Sequence, residues 1–218
     1  MSGITIAGSG TGPRPARPRN RRGEGSRLRA EILAAAAELL DADGDERAVT
    51  LRAVAHRVGI AAPSIYPHFH DRPALMLQVT RQAFAGLSVR IRSALDRAGD
   101  DPQERLDAAC RAYLDFARDH PGRYRAMFGG AGNTPTASGR RPDLPAEQAT
   151  RILTDFLTDC LAAGHHAGTD PATDAVALWL GLHGLAHQRA IAPAFPWPAD
   201  IVQRLTSPLT RPPGHTHT

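Results

Sequence analysis

The spacing of hydrophobic and polar residues along the chain predicts helices rather than strands. Apolar residues recur every three or four positions in several long segments, and glycine or proline interrupts the pattern between them. We find no stretch in which apolar and polar residues alternate as they do in a half-buried strand. The predicted helices cover residues 27–43, 51–58, 72–95, 102–119, 122–128, 147–163 and 171–191, with a short one near 198–206. The pattern therefore predicts an all-α fold.

The ends of the first two helices carry signals of their own. Ser26 and Thr50 are the predicted N-caps, because their hydroxyls can accept a hydrogen bond from a free backbone N–H. Gly44 lies in the turn after the first helix, and Gly59 closes the second helix, where it can adopt a positive φ. A second helix that leads through a glycine turn into a third segment is the arrangement of a helix-turn-helix.

The third segment reads IAAPSIYPHFHDRPALM (residues 60–76) and is poor in helix-forming residues. Pro63 suits the first turn of a helix, whereas Pro67 removes a helical hydrogen bond and should end the helix early. Ile65 is the natural inward-facing anchor. The small residues that would let the backbone come close to a groove are Ala61, Ala62 and Ser64. The segment thus fits a short recognition helix.

Polar side chains around this segment could contact DNA. Tyr66 and His68 offer hydrogen-bond donors to phosphates or base edges. Thr50 and Arg52, at the start of the second helix, would meet phosphate through hydroxyl, amide and guanidinium groups. An alternative is a core helix followed by a proline-ended loop, and the residue pattern alone does not decide between the two.

Positive charge is concentrated near the beginning of the sequence. All 26 basic residues are arginine, and the formal net charge is +4. Residues 14–29 contain seven arginines and one acidic residue, Glu24. Such a run predicts a disordered, solvated arm over residues 1–25, and a basic arm that binds phosphate is the competing interpretation.

Cysteine content and hydropathy indicate the cellular compartment in which the protein is expected. Cys110 and Cys160 fall among helix-spaced apolar residues, and two cysteines are too few for a disulfide scaffold, so both are predicted to be free buried thiols. No apolar run approaches the roughly 18 residues that span a bilayer, and the first residues do not resemble a secretory signal. We therefore expect a cytoplasmic protein with no membrane partner.

The segment TLRAVAHRVGIAAPSIYPHFHDRPAL (residues 50–75) resembles the helix-turn-helix of TetR-family transcriptional regulators. Members of that family show a threonine-capped helix, an Ala-x-x-x-Gly-Val turn, then Tyr-x-His-Phe, an acid or amide, a basic residue and a leucine. The matching positions here are Thr50, Ala55, Gly59, Ile60, Tyr66, His68, Phe69, Asp71, Arg72 and Leu75. The combined spacing covers about 50 residues when the first helix is included.

The resemblance implies specific roles. Tyr66 and His68 would contact backbone phosphates, Arg72 would hold phosphate at the start of the fourth helix, and Phe69 would plug the core. Ala61 departs from the family pattern, because a capping serine is common there, and Pro67 replaces a basic or aromatic residue. The full set of expected DNA-binding residues is Arg27, Thr50, Arg52, Ala62, Pro63, Ser64, Tyr66, His68 and Arg72.

The second part of the chain resembles a helical ligand-binding and dimerisation body of the same family. Residues 178–190, LWLGLHGLAHQRA, match a subgroup signature of Trp…His-Gly at Trp179, His183 and Gly184. Trp179 and His183 could line a pocket, or they could be packed core or interface residues. The expected ligand-binding residues are Tyr124, Met127, Phe128, Phe156, Trp179 and His183.

The expected organisation is a three-helix DNA-binding head on a larger body. The predicted boundaries are an arm over residues 1–25, the head over 26–72, the body over 73–208 and a tail over 209–218. The resemblance implies a homodimer joined through the helices of residues 147–163 and 171–191, two recognition helices on a palindromic operator, and a small molecule that releases the DNA.

Other functions stay open at this point. A transcriptional activator or a regulator that requires a co-repressor would use the same fold. His183 and His187 have the i, i+4 spacing of zinc ligands in HExxH enzymes, but the glutamate of that motif is absent, so a helical metalloenzyme is a remote alternative. No arrangement of catalytic residues stands out, and we expect neither a cofactor nor a metal.

Overall fold

The computed structural model describes residues 24–128 and 145–210, and within these ranges every regular element is a helix. The predicted all-α class is confirmed. The α-helices are α1 Glu24–Asp43, α2 Leu51–Val58, α3 Arg72–Arg97, α4 Pro102–Asp119, α5 Pro121–Phe128, α6 Pro145–Ala162, α7 Pro171–Ile191 and α8 Ile201–Thr206. Two 3₁₀ turns flank α2, at Glu46–Ala48 and Ala62–Ile65. Most of the predicted arm and tail lies outside the described residues.

Capping residues at both ends define α2, whereas α1 begins earlier than predicted. The Thr50 hydroxyl accepts a hydrogen bond from the backbone N–H of Ala53 at 3.1 Å, as expected of an N-cap. Gly59 closes α2 at a φ of +77°, and its N–H donates to the Ala55 carbonyl. The first helix differs from prediction, because it begins at Glu24 and contains Ser26 in its first turn instead of starting after it.

The third segment of the head is a short helix that ends early, as the pattern predicts, and it has the 3₁₀ form. Ala62–Ile65 form a single 3₁₀ turn, and Ala61 provides no side-chain cap. Pro67 has no N–H with which to continue a helical ladder. The next two amides, of His68 and Phe69, both donate to the Ile65 carbonyl and close the segment.

Apolar side chains of α1, α2, the 3₁₀ turns and the first half of α3 form the core of the head. Its fully enclosed members are Ile32, Ala36, Leu40, Val49, Val54, Ile65 and Leu75. Burial of one such aliphatic side chain contributes roughly 2 kcal/mol of stability. The second half of α3 enters the larger core of the body, so one continuous helix connects the two parts.

The body packs α4, α5, α6, α7 and α8 around the second half of α3. Cys110 and Cys160 are buried and free, as predicted. The chain beyond α8 also belongs to this packed unit. His166 is enclosed between the Leu209 carbonyl at 2.6 Å and the Asp174 carboxylate at 2.9 Å, and Thr210 donates to Gln103. Leu209 and Thr210, the first two residues of the predicted tail, therefore contact the packed body.

Helix α7 has one apolar face that no other described part of the chain covers. Val176 is 46% exposed, Leu180 57% and Ile191 64%, and Gly184 and His187 lie on the same open side. The opposite side of α7, which carries Ala175, Leu178, Leu182, Leu185 and Ala186, is enclosed.

Candidate functional site

The first candidate surface combines the start of α2 with the 3₁₀ turn that packs against α2. The Thr50 side chain caps α2, and Arg52 in the first turn of this helix is exposed. Ile65 is completely buried and anchors the 3₁₀ turn, so its neighbours Ser64 and Tyr66 stay exposed. The structure thus places these polar groups at the surface around a small, rigid turn.

The other residues of the expected DNA-binding set lie around this turn. Pro63 is exposed and Ala62 is half-buried. The half-buried His68 approaches the start of α1, since a methyl group on Gly25 would lie 4.0 Å from its imidazole ring. Arg27 is exposed and pairs with Glu31 at 2.9 Å. The start of α1 therefore lies beside the same surface.

Arg72 occupies a different environment from the one that the resemblance implied. Its Nε donates to the Val49 carbonyl at 2.8 Å, and its Nη2 donates to the Glu46 carbonyl. Through these hydrogen bonds the guanidinium connects the start of α3 to the turn that precedes α2. These two bonds use two of the five N–H donors of the guanidinium, so Arg72 holds the backbone in place and keeps donors for the expected phosphate contact.

Phe69 and Asp71 position the segment between the turn and α3. Phe69 is buried, with the Arg29 guanidinium 4.7 Å from its ring centroid, as expected for a core plug. The Asp71 carboxylate caps α3 by accepting from the Ala74 N–H at 2.7 Å. These contacts fix the end of the 3₁₀ segment relative to the helix that enters the body.

The second candidate site is an aromatic cluster in the body, formed by Tyr113, Tyr124, Phe128, Trp179 and His183. The Tyr113 and Tyr124 hydroxyls lie 2.9 Å apart, and the Tyr124 hydroxyl lies 2.7 Å from Nδ1 of His183. The Trp179 and His183 rings stack at 5.5 Å, and the Phe128 ring meets the His183 ring edge-on at 4.7 Å. Three polar groups are thus joined inside an aromatic shell.

Burial keeps the polar groups of the aromatic cluster uncharged. It raises the pKa of Tyr113 far above its usual range and that of Tyr124 to about 12. It also lowers the pKa of His183, and the neighbouring His187 lowers it further. The indole Nε1 of Trp179 is buried without a hydrogen-bond partner among the described residues, although it lies near enough to Tyr113 to oppose part of the rise in that pKa.

The expected ligand-binding residues are only partly brought together. Tyr124, Phe128, Trp179 and His183 meet in the aromatic cluster. Met127 is buried beside it in the body core. Phe156 is also buried, but the contact of its ring is with the Arg105 guanidinium, 5.3 Å from the centroid.

Tyr113, which joins the cluster from α4, was not among the residues expected from the sequence. A buried tyrosine usually has a hydrogen-bond partner for its hydroxyl, and this was the only general reason to expect Tyr113 near other polar groups. The partners are 11 and 70 residues away along the chain, so local spacing could not identify them.

Helix α5 connects the aromatic cluster to the head. Arg123 donates to the Asp41 carboxylate through its backbone N–H at 3.0 Å and its Nε at 2.7 Å. Arg125 donates to the Gly44 carbonyl at 2.6 Å. A Cβ on Gly122 would lie 1.9 Å from the Leu40 carbonyl oxygen, so the backbones are in close contact. Helix α5 therefore carries Tyr124 and also packs against the end of α1, to which it is hydrogen-bonded.

Metal binding finds no support in residues 24–128 and 145–210. No group of three histidine, cysteine, aspartate or glutamate side chains in these ranges is placed to hold an ion. His183 uses Nδ1 for the tyrosine contact, and His187 is exposed on the open face of α7. The same ranges contain no helix with the length and hydropathy needed to cross a membrane.

Two family models match separate parts of the chain. Residues 32–79 match the bacterial regulatory proteins of the tetR family, and residues 106–210 match the tetracyclin repressor-like C-terminal domain. The first range contains α2, the 3₁₀ turn and the start of α3, and the second contains the aromatic cluster. The narrower Trp…His-Gly subgroup stays a resemblance.

Individual proteins show the same relationship. The chain is 32% identical over 117 residues to the HTH-type transcriptional activator FasR of Mycolicibacterium smegmatis, which covers 51% of this chain and 52% of that protein. It is 30% identical over 103 residues to the nucleoid occlusion factor SlmA of Photobacterium profundum, which covers 47% and 52%. These alignments thus span about half the length of the curated relatives.

A solved structure of a protein with unknown function from Rhodococcus sp. RHA1 has a similar fold. Its TM-score is 0.73 at 24% identity, and the alignment covers 86% of this chain and 96% of that chain. The likeness therefore extends over both the head and the body.

Proposed function

This chain belongs to the TetR family of transcriptional regulators, and we propose that it is a homodimeric repressor that leaves a palindromic operator when a small molecule occupies its body. Family membership makes it a DNA-binding regulator of the helix-turn-helix type and not an enzyme. The operator, the dimer, the repression and the ligand response are our proposals.

The exposed surface around the 3₁₀ turn carries the proposal for operator binding. Tyr66 and Ser64 project from a turn that Ile65 anchors, and Arg52 lies in the first turn of α2, next to the Thr50 cap. This geometry supports a turn that enters the major groove while α2 approaches the phosphates. We further propose that the arginines before α1 add phosphate contacts, because Gly25 lies beside His68.

The open apolar face of α7 supports the proposed dimer. Exposed aliphatic side chains at Val176, Leu180 and Ile191 favour burial against a second copy. Gly184 has open space around it, which would allow close approach of a partner helix. Two heads about 34 Å apart would match successive major grooves of a palindromic site.

Helix α5 supports the proposed ligand response. Its Tyr124 belongs to the aromatic cluster, whereas Arg123 and Arg125 bind the end of α1. A ligand that changes the position of Tyr124 would act on the head through this short helix. Release of DNA requires that the ligand bind the released state more tightly than the DNA-bound state.

Activation is the second candidate function, because FasR is named a transcriptional activator. The two functions use the same DNA-binding surface and differ in where the operator lies relative to the promoter. A reporter under the promoter of the protein's own gene separates them: deletion of the regulator raises expression if it represses and lowers expression if it activates.

Fluorescence anisotropy with DNA from upstream of the protein's own gene tests operator binding. We expect Arg52→Ala and Tyr66→Phe to weaken binding. Arg52→Ala should also reduce the salt slope by about 1 for each phosphate that the guanidinium no longer neutralises. Arg204→Ala is the matched control, since it removes an exposed arginine of the body that pairs with Asp200. Unchanged affinity in Arg52→Ala and Tyr66→Phe would refute the proposed contacts.

A further inference from the structure

The hydrogen bonds of the aromatic cluster determine which nitrogen of His183 carries the proton. If Nδ1 carried it, the imidazole would donate to Tyr124, and one of the two tyrosine hydroxyl protons would have no acceptor among the described residues. Tyr113 and Tyr124 are both buried, so such an unpaired hydroxyl would be unfavourable. The opposite order gives both tyrosine hydroxyl protons an acceptor: Tyr113 donates to Tyr124, and Tyr124 donates to Nδ1.

This order places the proton of His183 on Nε2. Burial lowers the pKa of His183, so the ring is neutral and has a single N–H. The Nε2 group has no hydrogen-bond partner among the residues that the structure describes.

Among the described residues, the groups that contact the His183 ring are aromatic rings and neutral hydroxyls. Phe128, Trp179 and His183 are half-buried within the same part of the chain, so each keeps some exposed surface. Every hydrogen bond within the cluster joins neutral groups, and the nearest charge effect on His183 comes from another histidine, His187. A charged ligand would lose hydration here without meeting a side chain of opposite charge.

We propose that the aromatic cluster binds an uncharged, flat ring compound whose oxygen or nitrogen atom accepts a hydrogen bond from Nε2 of His183. The ring system lies against Phe128 and Trp179, and Tyr113 and Tyr124 hold the imidazole in the tautomer that donates. This inference deepens the proposed ligand response and rests on it for its biological meaning. The chemistry of binding can nevertheless be measured without DNA.

Four two-ring probes of similar size test the ligand class by calorimetry on the full-length protein. They are coumarin, which is neutral and has a carbonyl acceptor, naphthalene, which has no acceptor, coumarin-3-carboxylate, which is an anion, and N-methylquinolinium, which is a cation. We expect coumarin to bind about tenfold more tightly than the other three, since one hydrogen bond and the absence of charge desolvation both favour it.

Three variants assign the preference to His183. His183→Phe keeps a ring but removes the donor, so the preference for coumarin over naphthalene should disappear. His183→Gln retains an N–H donor and should restore part of it. His56→Phe, which replaces an exposed histidine of α2 in the head, is the control and should keep the full preference. Nitrogen NMR shifts of the wild-type imidazole provide a second measurement that needs no variant, and protonated Nε2 with unprotonated Nδ1 is expected.

The proposal is overturned if none of the four probes binds, if a charged probe or naphthalene matches coumarin, if His183→Phe retains the preference, or if the proton lies on Nδ1.

Anisotropy with the upstream DNA is measured separately. If coumarin binds as expected but leaves DNA affinity unchanged, the ligand class is supported and the proposed ligand response is refuted. If the wild type fails to bind that DNA, operator binding is refuted while the probe measurements retain their meaning.

Discussion

At the scale of single residues, two arginines in the head have different tasks. Arg52 is exposed near the Thr50 cap, whereas Arg72 donates to the carbonyls of Val49 and Glu46. Removal of the Arg72 guanidinium would leave the Val49 carbonyl without this donor, and the Glu46 carbonyl would keep only its bond from the Val49 N–H. We expect Arg72→Ala to lower the free energy of unfolding by about 1–3 kcal/mol and to weaken DNA binding because the start of α2 is no longer held.

Urea unfolding combined with anisotropy separates the two roles. Arg52→Ala should weaken DNA binding and leave stability within about 0.5 kcal/mol of the wild type, as is usual for exposed positions. Arg72→Ala should lower both the DNA affinity and the free energy of unfolding. If Arg72→Ala unfolds at the wild-type urea concentration, the contacts with Val49 and Glu46 do not stabilise the head.

His183 predicts a dependence of stability on pH. Its pKa is lowered in the folded protein by burial and by His187, so the folded state favours the neutral imidazole, which accepts the Tyr124 proton at Nδ1. The stabilisation from His183 is present above the unfolded pKa near 6.5 and is lost as the pH falls towards the lower folded value. The unfolding free energy of the wild type should therefore decrease between neutral pH and pH 5 more steeply than that of His183→Gln.

Urea titrations at several pH values measure this difference. His56→Gln provides the control, because His56 is exposed in the last turn of α2. Replacing it should not make the dependence shallower in the way that His183→Gln does. Equal pH slopes for the wild type and His183→Gln would contradict the assignment of a neutral, hydrogen-bonded imidazole.

At the scale of elements, the success of sequence prediction depends on whether the cause is local. The Thr50 cap and the Gly59 turn were predictable because their partners lie within four residues. The third segment was predicted as a short helix that Pro67 ends early, and only its 3₁₀ form could not be predicted. The backbone contacts of Arg72 span 23 and 26 residues, so they exist only once the head has folded.

The contact between α5 and α1 gives the element-scale prediction. Gly122→Ala would place a methyl group 1.9 Å from the Leu40 carbonyl oxygen, so α5 or α1 would have to move. We expect the unfolding free energy to fall by about 1–3 kcal/mol, as for other overpacked sites, together with altered affinity for operator DNA. Urea unfolding and anisotropy measure the two effects.

Gly184→Ala is not a suitable control, because that residue lies on the proposed dimer face. Gly86→Ala is better matched: it is also a helical glycine, but the atom nearest to its added methyl group would be a Phe116 ring carbon at 3.9 Å, an ordinary contact distance. Alanine is favoured over glycine in a helix by about 1 kcal/mol, so Gly86→Ala should retain or raise stability. Equal behaviour of Gly122→Ala and Gly86→Ala would show that the α5–α1 contact is not tight in solution.

At the scale of the whole molecule, the sequence pattern of α7 and its exposure lead to the same conclusion. The helix is apolar nearly all round, yet one chain encloses only one side. A sequence cannot indicate whether the second side is buried by its own chain or by another, because hydrophobic periodicity reports burial and not its partner. The uncovered face of the folded chain supplies this missing information and favours a second copy.

A charge on the open face of α7 should therefore separate the proposed dimer. Leu180→Glu places a carboxylate where the two copies would meet, and burial of an unpaired charge is unfavourable. Sedimentation velocity should show a dimer for the wild type and a monomer for Leu180→Glu. Val89→Glu changes a similarly exposed apolar residue on α3, 62% exposed, and should leave the dimer intact. Since two linked heads bind a palindrome with a gain in effective concentration, the monomer should also bind operator DNA much more weakly. A wild-type protein that sediments as a monomer, or a Leu180→Glu variant that remains dimeric, would place the interface elsewhere or remove it from the proposal.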